Sequence, residues 1–124
     1  MTGAGRFAGY AALFDRVDRA GDVIRPGAFA EAGMVPLLWQ HRGAPVGRIV
    51  AIGEDARGLR VEGVVDDPDA AALVHARAIE GLSVGYRALA VRQGAWRELL
   101  RVALAEVSLV AVPMQPMARI DRIG

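Results

Sequence analysis

The chain has 124 residues and a mass of 13.1 kDa, with 53% apolar and 23% charged residues, enough for one globular domain over residues 1–124 with no room for a second. A formal net charge of +1 leaves no electrostatic footprint for nucleic acid or an anionic membrane. The absence of cysteine excludes disulfides, thiolate metal sites and a cysteine nucleophile.

Along the chain, Arg6 to Phe14 is an apolar run of strand length interrupted by Gly9. Asp15 to Arg25 reads as a charged loop carrying Gly21-Asp22. Pro26-Gly27-Ala28-Phe29 opens a short segment of about one helical turn before Gly33. Leu37 to His41 reads as a strand with Leu37, Trp39 and His41 on one face. Val46 to Ile52 and Leu59 to Val65 read as two more strands, joined by a hairpin loop from Gly53 to Gly58.

Asp67 then supplies an N-cap and Pro68 suits a first turn. Ala70 to Glu80 is rich in helix formers, and Gly81 is the expected stop. Leu82 to Arg92 reads as a strand, Gln93-Gly94 as a turn, and Trp96 to Val112 as a long strand or strand pair ended by Pro113 and Pro116. The expected fold is α+β: a barrel-like, mainly antiparallel sheet of about six strands with one main helix and a short helical segment. The N-terminus has no basic segment followed by an apolar run, and no stretch reaches the roughly 18 apolar residues of a membrane span. The expected location is therefore soluble and cytoplasmic.

Hydroxyl chemistry has few candidates: Ser83, Ser108 and Thr2. Ser83 lies in Gly81-Leu82-Ser83-Val84-Gly85, which fits the G-x-S-x-G pattern of the α/β-hydrolase elbow. That elbow needs a strand before the serine and a helix after it. Here the order is reversed, and no histidine follows Ser83. The hydrolase fold is rejected and the serine retained, because Gly81 and Gly85 offer open backbone on both sides for a substrate.

A nucleophilic serine needs a base. His41, at the end of an apolar strand, suits the rim of a pocket; an ordinary strand-end histidine is an equal reading. His75, in an alanine-rich helix, reads as a surface or packing residue. No H-E-x-x-H spacing exists, and no metal or cofactor is expected.

On the last strand one face reads Leu100, Val102, Leu104, Glu106, Ser108, Val110 and Val112. An unpaired carboxylate on so apolar a face costs several kcal/mol, so Glu106 requires a polar partner, either a histidine base or an arginine in a structural ion pair. Ser108, about 7 Å further along the same face, is the alternative nucleophile, but its apolar surroundings lack a glycine for substrate approach, and it reads rather as a hydroxyl that hydrogen-bonds Glu106 or a neighbouring strand.

Four segments then carry a resemblance. They are Gly21-Asp22-Val23-Ile24-Arg25-Pro26-Gly27-Ala28-Phe29; Pro36-Leu37-Leu38-Trp39-Gln40-His41 with Pro45-Val46-Gly47; Gly81-Leu82-Ser83-Val84-Gly85-Tyr86; and Glu106-Val107-Ser108-Leu109-Val110 with Pro113. In this order the chain resembles the prohead, or capsid maturation, serine proteases of tailed phages, distant relatives of the herpesvirus assemblins. The resemblance implies a serine endopeptidase with Ser83 as nucleophile and His41 as base, acting by acyl transfer while backbone N–H groups hold the oxyanion.

In the assemblins the third member is a second histidine after the serine. None is present here, so the role passes to Glu106, 23 residues after Ser83, with Asp22 in reserve. The closing segment, Pro113-Met114-Gln115-Pro116, has glutamine where the family usually has asparagine. The implied partners are the major capsid protein and its scaffolding segment as substrates, within the assembling prohead in the bacterial host, with no nucleic acid and no membrane. Self-cleavage and homo-oligomerisation are left open. The main rival is a catalytically inactive structural or scaffold component of the prohead with the same fold. A small nucleic-acid-binding barrel would need more aromatic residues than 6% and a basic groove.

Overall fold

The computed structural model describes residues 5–124; Thr2 lies outside them. Among the described residues, alternating apolar residues and turn-forming breaks yield eight strands and one helix: β1 (Arg6–Leu13), β2 (Asp22–Ile24), β3 (Pro36–Trp39), β4 (Arg42–Glu54), β5 (Gly58–Val65), α1 (Pro68–His75), β6 (Gly81–Gln93), β7 (Arg97–Val110) and β8 (Ile120–Ile123). The sheet order is β2-β7-β3-β4-β5-β1-β8, with β6 also pairing β7. Phe7, Phe14, Phe29, Leu37, Leu59 and Leu82 are among the buried side chains that form the core.

The sheet is mainly antiparallel, as expected, but it is mixed, because β7 also makes two parallel pairings. Fourteen-residue β7 pairs with β6 antiparallel, and its two ends pair in parallel with β2 (Val23↔Glu98) and β3 (Leu38↔Ser108). It does not close into a barrel. Among the described residues, an isolated Gly81↔Arg119 bridge and the bonds Leu82 N–H to Ala118 O (2.9 Å) and Ile120 N–H to Glu80 O (2.8 Å) join β6 to the segment leading into β8. A continuous ladder needs more paired residues than this contact supplies.

Two strands lie where the sequence suggests none. β2 is three buried residues inside the expected charged loop, where Arg97 and Asp22 neutralise each other. β8 follows both prolines and is held by pairing with β1. The expected short helical segment is instead a chain of turns, Ala28 N–H to Arg25 O, Ala30 N–H to Gly27 O and Ala32 N–H to Phe29 O. Gly27 has φ +95°, which breaks any right-handed continuation.

α1 starts as the sequence suggests. Asp67 accepts from the Ala70 N–H at 2.9 Å and Pro68 fills the first turn, while Ala70 and Val74 face the core. It stops earlier, at His75. Arg77 takes the left-handed conformation (φ +59°), with Ala78 N–H bonded to Leu73 O (2.9 Å) and Arg77 N–H to Val74 O (3.0 Å). This is the Schellman arrangement with arginine in glycine's usual place. Gly81, the expected stop, begins β6, where a Cβ would meet Val110 O at 2.5 Å.

Near the start of β7, Glu98 accepts from Arg92 Nη2 (2.7 Å) and from Arg25 Nε (2.8 Å). The hydrogen bonds from Arg92 and then Arg25 draw its carboxyl down from 4.5 to about 2. A depressed folded-state pKa stabilises fully above the unfolded value and fades as pH falls toward the folded one. Denaturant melts should therefore show wild type more stable than Glu98→Gln at neutral pH. The gap should close between pH 4.5 and about 2.

Candidate active site

β3 runs alongside β7 and ends at Trp39. Trp39 pairs with Arg42, so Gln40 and His41 form a two-residue hairpin loop. Both carry positive φ, +53° and +64°. Such loops usually hold asparagine or glycine, and non-glycine residues held there cost about 1–3 kcal/mol each. The expected strand through His41 therefore gives way to a strained turn. The turn is held by Gln40 N–H to Leu109 O (3.0 Å) and by His41 N–H to Ser108 Oγ (3.0 Å).

The turn sets the imidazole over β7. His41 Nδ1 lies 2.6 Å from Glu106 Oε1, and Ser108 Oγ donates to Glu106 Oε2 at 2.9 Å. The Glu106 side chain is 11% exposed and that of His41 43%. Of the two partners the apolar face permits for Glu106, the fold supplies the histidine. Among the described residues no arginine contacts Glu106. The arginine pairing falls to Asp22 instead, with Arg97 Nε at 3.0 Å from Asp22 Oδ1.

β6 brings in the serine. Ser83 pairs directly with Ser108, and Gly85 with Glu106. Opposed side chains share a face with Cβ atoms about 5 Å apart, so Ser83 shares a face with the Ser108–Glu106–His41 cluster. A bulge follows at once: Tyr86 pairs with Leu104, leaving Ala105 as the extra residue. Gly81 and Gly85 do not open the backbone to a substrate. A Cβ on Gly85 would lie 2.6 Å from Glu106 Oε1, and the space beside Gly81 is filled by Val110 and Pro113. The glycines make room for protein.

Ser83 and His41 line one cleft of about 100 Å³, with Ala11, Asp18, Tyr86 and Gln115 among its other walls. Ser83 is buried; His75 is exposed on α1 and does not line this cleft. Burial, then the charges of Asp22 and Asp18, push the Tyr86 phenol up to about 12.

Asp18, Tyr86 and Gln115 are cleft residues that the sequence does not single out by chemistry. A glutamine between two prolines is the one available signal. Gln115 is buried, and its amide pairs both ways with Leu13, accepting the Leu13 N–H at 2.6 Å and donating to Leu13 O at 2.8 Å. Among the described residues no three metal-ligating side chains cluster. No described helix is long and apolar enough to cross a membrane.

A histidine held by a buried carboxylate beside a serine, on a mixed sheet of this order, defines a class that comparison with known proteins identifies. The family model described as caudovirus prohead serine protease matches residues 2–123, and the chain belongs to that family. It is 35% identical over 101 residues to the prohead protease of Enterobacteria phage HK97, a match that covers 69% of this chain and 45% of that protein. The chain thus spans less than half the length of this relative.

Its fold is similar to that of the KSHV protease, solved with a hexapeptide phosphonate inhibitor (TM-score 0.65, 14% identity, 93% of this chain and 63% of that one). It is similar also to the varicella-zoster virus protease (TM-score 0.63, 18% identity, 94% and 62%).

Gly85→Ala should push the Glu106 carboxylate off the imidazole. Proton NMR should then lose the downfield Nδ1–H resonance of a carboxylate-bonded His41, while a denaturant melt still shows a cooperative fold. Ser108→Ala should weaken but retain that resonance, because it removes one of the two groups that hold the carboxylate.

Proposed function

We propose that this chain is a serine endopeptidase that cleaves the major capsid protein and its scaffolding segment within the assembling prohead, in the cytoplasm of the bacterial host. The carrying observation is the His41 Nδ1–Glu106 contact at 2.6 Å. A carboxylate on Nδ1 fixes the tautomer and leaves Nε2 as the nitrogen that accepts a proton. Family membership and the cleft shared by Ser83 and His41 support the same reading.

In this reading Ser83 Oγ attacks the scissile carbonyl carbon as its proton passes to His41 Nε2. The tetrahedral intermediate collapses, the C–N bond breaks, and Nε2 returns the proton to the departing amine. Water, deprotonated by the same nitrogen, then hydrolyses the Ser83 ester. Glu106 offsets the imidazolium charge, and Ser108 holds the carboxylate from behind. Backbone N–H groups at the cleft stabilise the oxyanion.

Co-expression with the capsid protein, followed by mass spectrometry, tests the reading. It should yield a truncated capsid protein, and it also reports self-cleavage. Light scattering reports self-association. Ser83→Ala and His41→Ala should each abolish truncation; His75→Ala should not. A fluorophosphonate should label Ser83. An unlabelled, folded chain that associates with capsid protein without cutting it would make this a structural component of the prohead.

Glu106→Gln separates activity from stability. The amide keeps the shape but holds the wrong tautomer, so turnover should fall by about 10²–10⁴-fold while the melt changes little. Full turnover in the folded variant would remove Glu106 from the mechanism.

A further inference from the structure

The cleft beside Ser83 contains a carboxylate that the mechanism does not use. Asp18 sits in the loop between β1 and β2 and is only 9% exposed. Its Oδ1 accepts from Ala20 N–H (2.9 Å) and Asp22 N–H (3.0 Å), so the loop fixes where the carboxylate points. The backbone adds Asp18 N–H to Asp22 O (2.9 Å) and Gly21 N–H to Asp18 O (3.1 Å). Its other oxygen, Oδ2, has no protein partner among the described residues. No buried side-chain oxygen there lacks a partner either, so the residual exposure of Asp18 includes Oδ2, on a residue that lines the cleft.

Among the described residues no guanidinium pairs with this carboxylate; Arg97 lies within range of its charge, but its hydrogen bonds go to Asp22. Asp22 next to it is neutralised by Arg97 at 3.0 Å. The guanidinium of Arg19 is tied to the rim, its Nε donating to Pro113 O at 3.0 Å. Apart from His41, the remaining lining is uncharged and largely apolar: Ala11, Ala20, Ile24, Val84 and Met114, with Tyr86 and Gln115. A carboxylate at such a wall favours a cation with an apolar stem, which lays its methylenes on the aliphatic surface and its charged head on the acid. An acidic side chain would meet repulsion, and an aliphatic one would leave the charge unpaired.

We infer that Asp18 determines specificity in this cleft by taking the side chain of a lysine or arginine adjacent to the scissile bond. The inference rests on the serine-protease reading of Ser83 and His41. It adds the class of sequence cut: segments of capsid or scaffold with a basic residue at the cleavage point.

Active-site phosphonates test it without knowledge of the natural site. Three matched peptidyl diphenyl phosphonates, with lysine-like, norleucine-like and glutamate-like side chains, are incubated with the whole chain. Labelling of Ser83 is followed by intact mass. The lysine-like probe should react about tenfold or more faster than the norleucine-like one, the factor expected of one charge-assisted contact, and the glutamate-like probe slowest.

Asp18→Asn keeps an oxygen for the Ala20 and Asp22 N–H groups and removes the charge. The ratio of lysine-like to norleucine-like rates should fall to near one. Because this is a ratio within one protein, loss of stability alone does not mimic it. A wild-type ratio near one, or a ratio unchanged in Asp18→Asn, overturns the inference while leaving the protease reading intact. Failure of a plain fluorophosphonate to label Ser83 overturns the protease reading, and the inference with it.

Discussion

The site is organised by a carboxylate placed where carboxylates are costly. Glu106 sits on a largely apolar stretch of β7 with its side chain 11% exposed, and its negative charge must be met. His41 and Ser108 meet it, with Nδ1 at 2.6 Å and Oγ at 2.9 Å. Each of these contacts imposes a condition elsewhere. The carboxylate needs volume on the facing strand, so Gly85 has no side chain. The imidazole must curl over the sheet, so Gln40 and His41 take backbone conformations that neither residue favours. Ser108 serves both partners, donating to the carboxylate and accepting the His41 N–H at 3.0 Å.

β7 makes this convergence geometrically possible. One long strand pairs with β6 along one edge and with β2 and β3 at its two ends, so groups distant in sequence gather along it. The parallel β3 pairing delivers the His41 turn to the Ser108 position. The antiparallel β6 pairing delivers Ser83 to the same position from the other side. The bulge at Ala105 falls directly beside this meeting point, where a local bend re-aims side chains.

The cleft lips are joined by one backbone hydrogen bond and by the amide side chain of Gln115. Arg19 N–H donates to Met114 O at 3.1 Å, which ties the loop before β2 to the segment after β7. Gln115 clamps that segment to the end of β1. The same loop that supplies half of this clasp presents Asp18 to the cleft, so the shape of the opening and its charge have a common support.

Much of the site was legible in the sequence because few residues could carry the chemistry: two serines and two histidines. The period-two pattern put Glu106 and Ser108 on one face, and the apolar neighbours demanded a partner for the acid. The helix start at Asp67 and Pro68 was equally readable, since a cap is a local hydrogen bond. What the sequence could not decide was non-local. Whether histidine or arginine meets Glu106 depends on β3 running parallel to β7, a pairing across some 70 residues that no local pattern encodes.

The His41 turn carries no glycine or asparagine, so its left-handed geometry is imposed by the bonds to Leu109 and Ser108. Three-residue β2 and four-residue β8 are too short to show a period and exist only because partners hold them. The helix ends at His75, with left-handed Arg77 rather than Gly81 as its stop, and glycine's close approach to Val110 places Gly81 in β6. The sequence by itself determined which groups were available and where an uncompensated charge would need an answer. The tertiary structure decided which group answered it, because only strand pairing sets which distant side chains share a face.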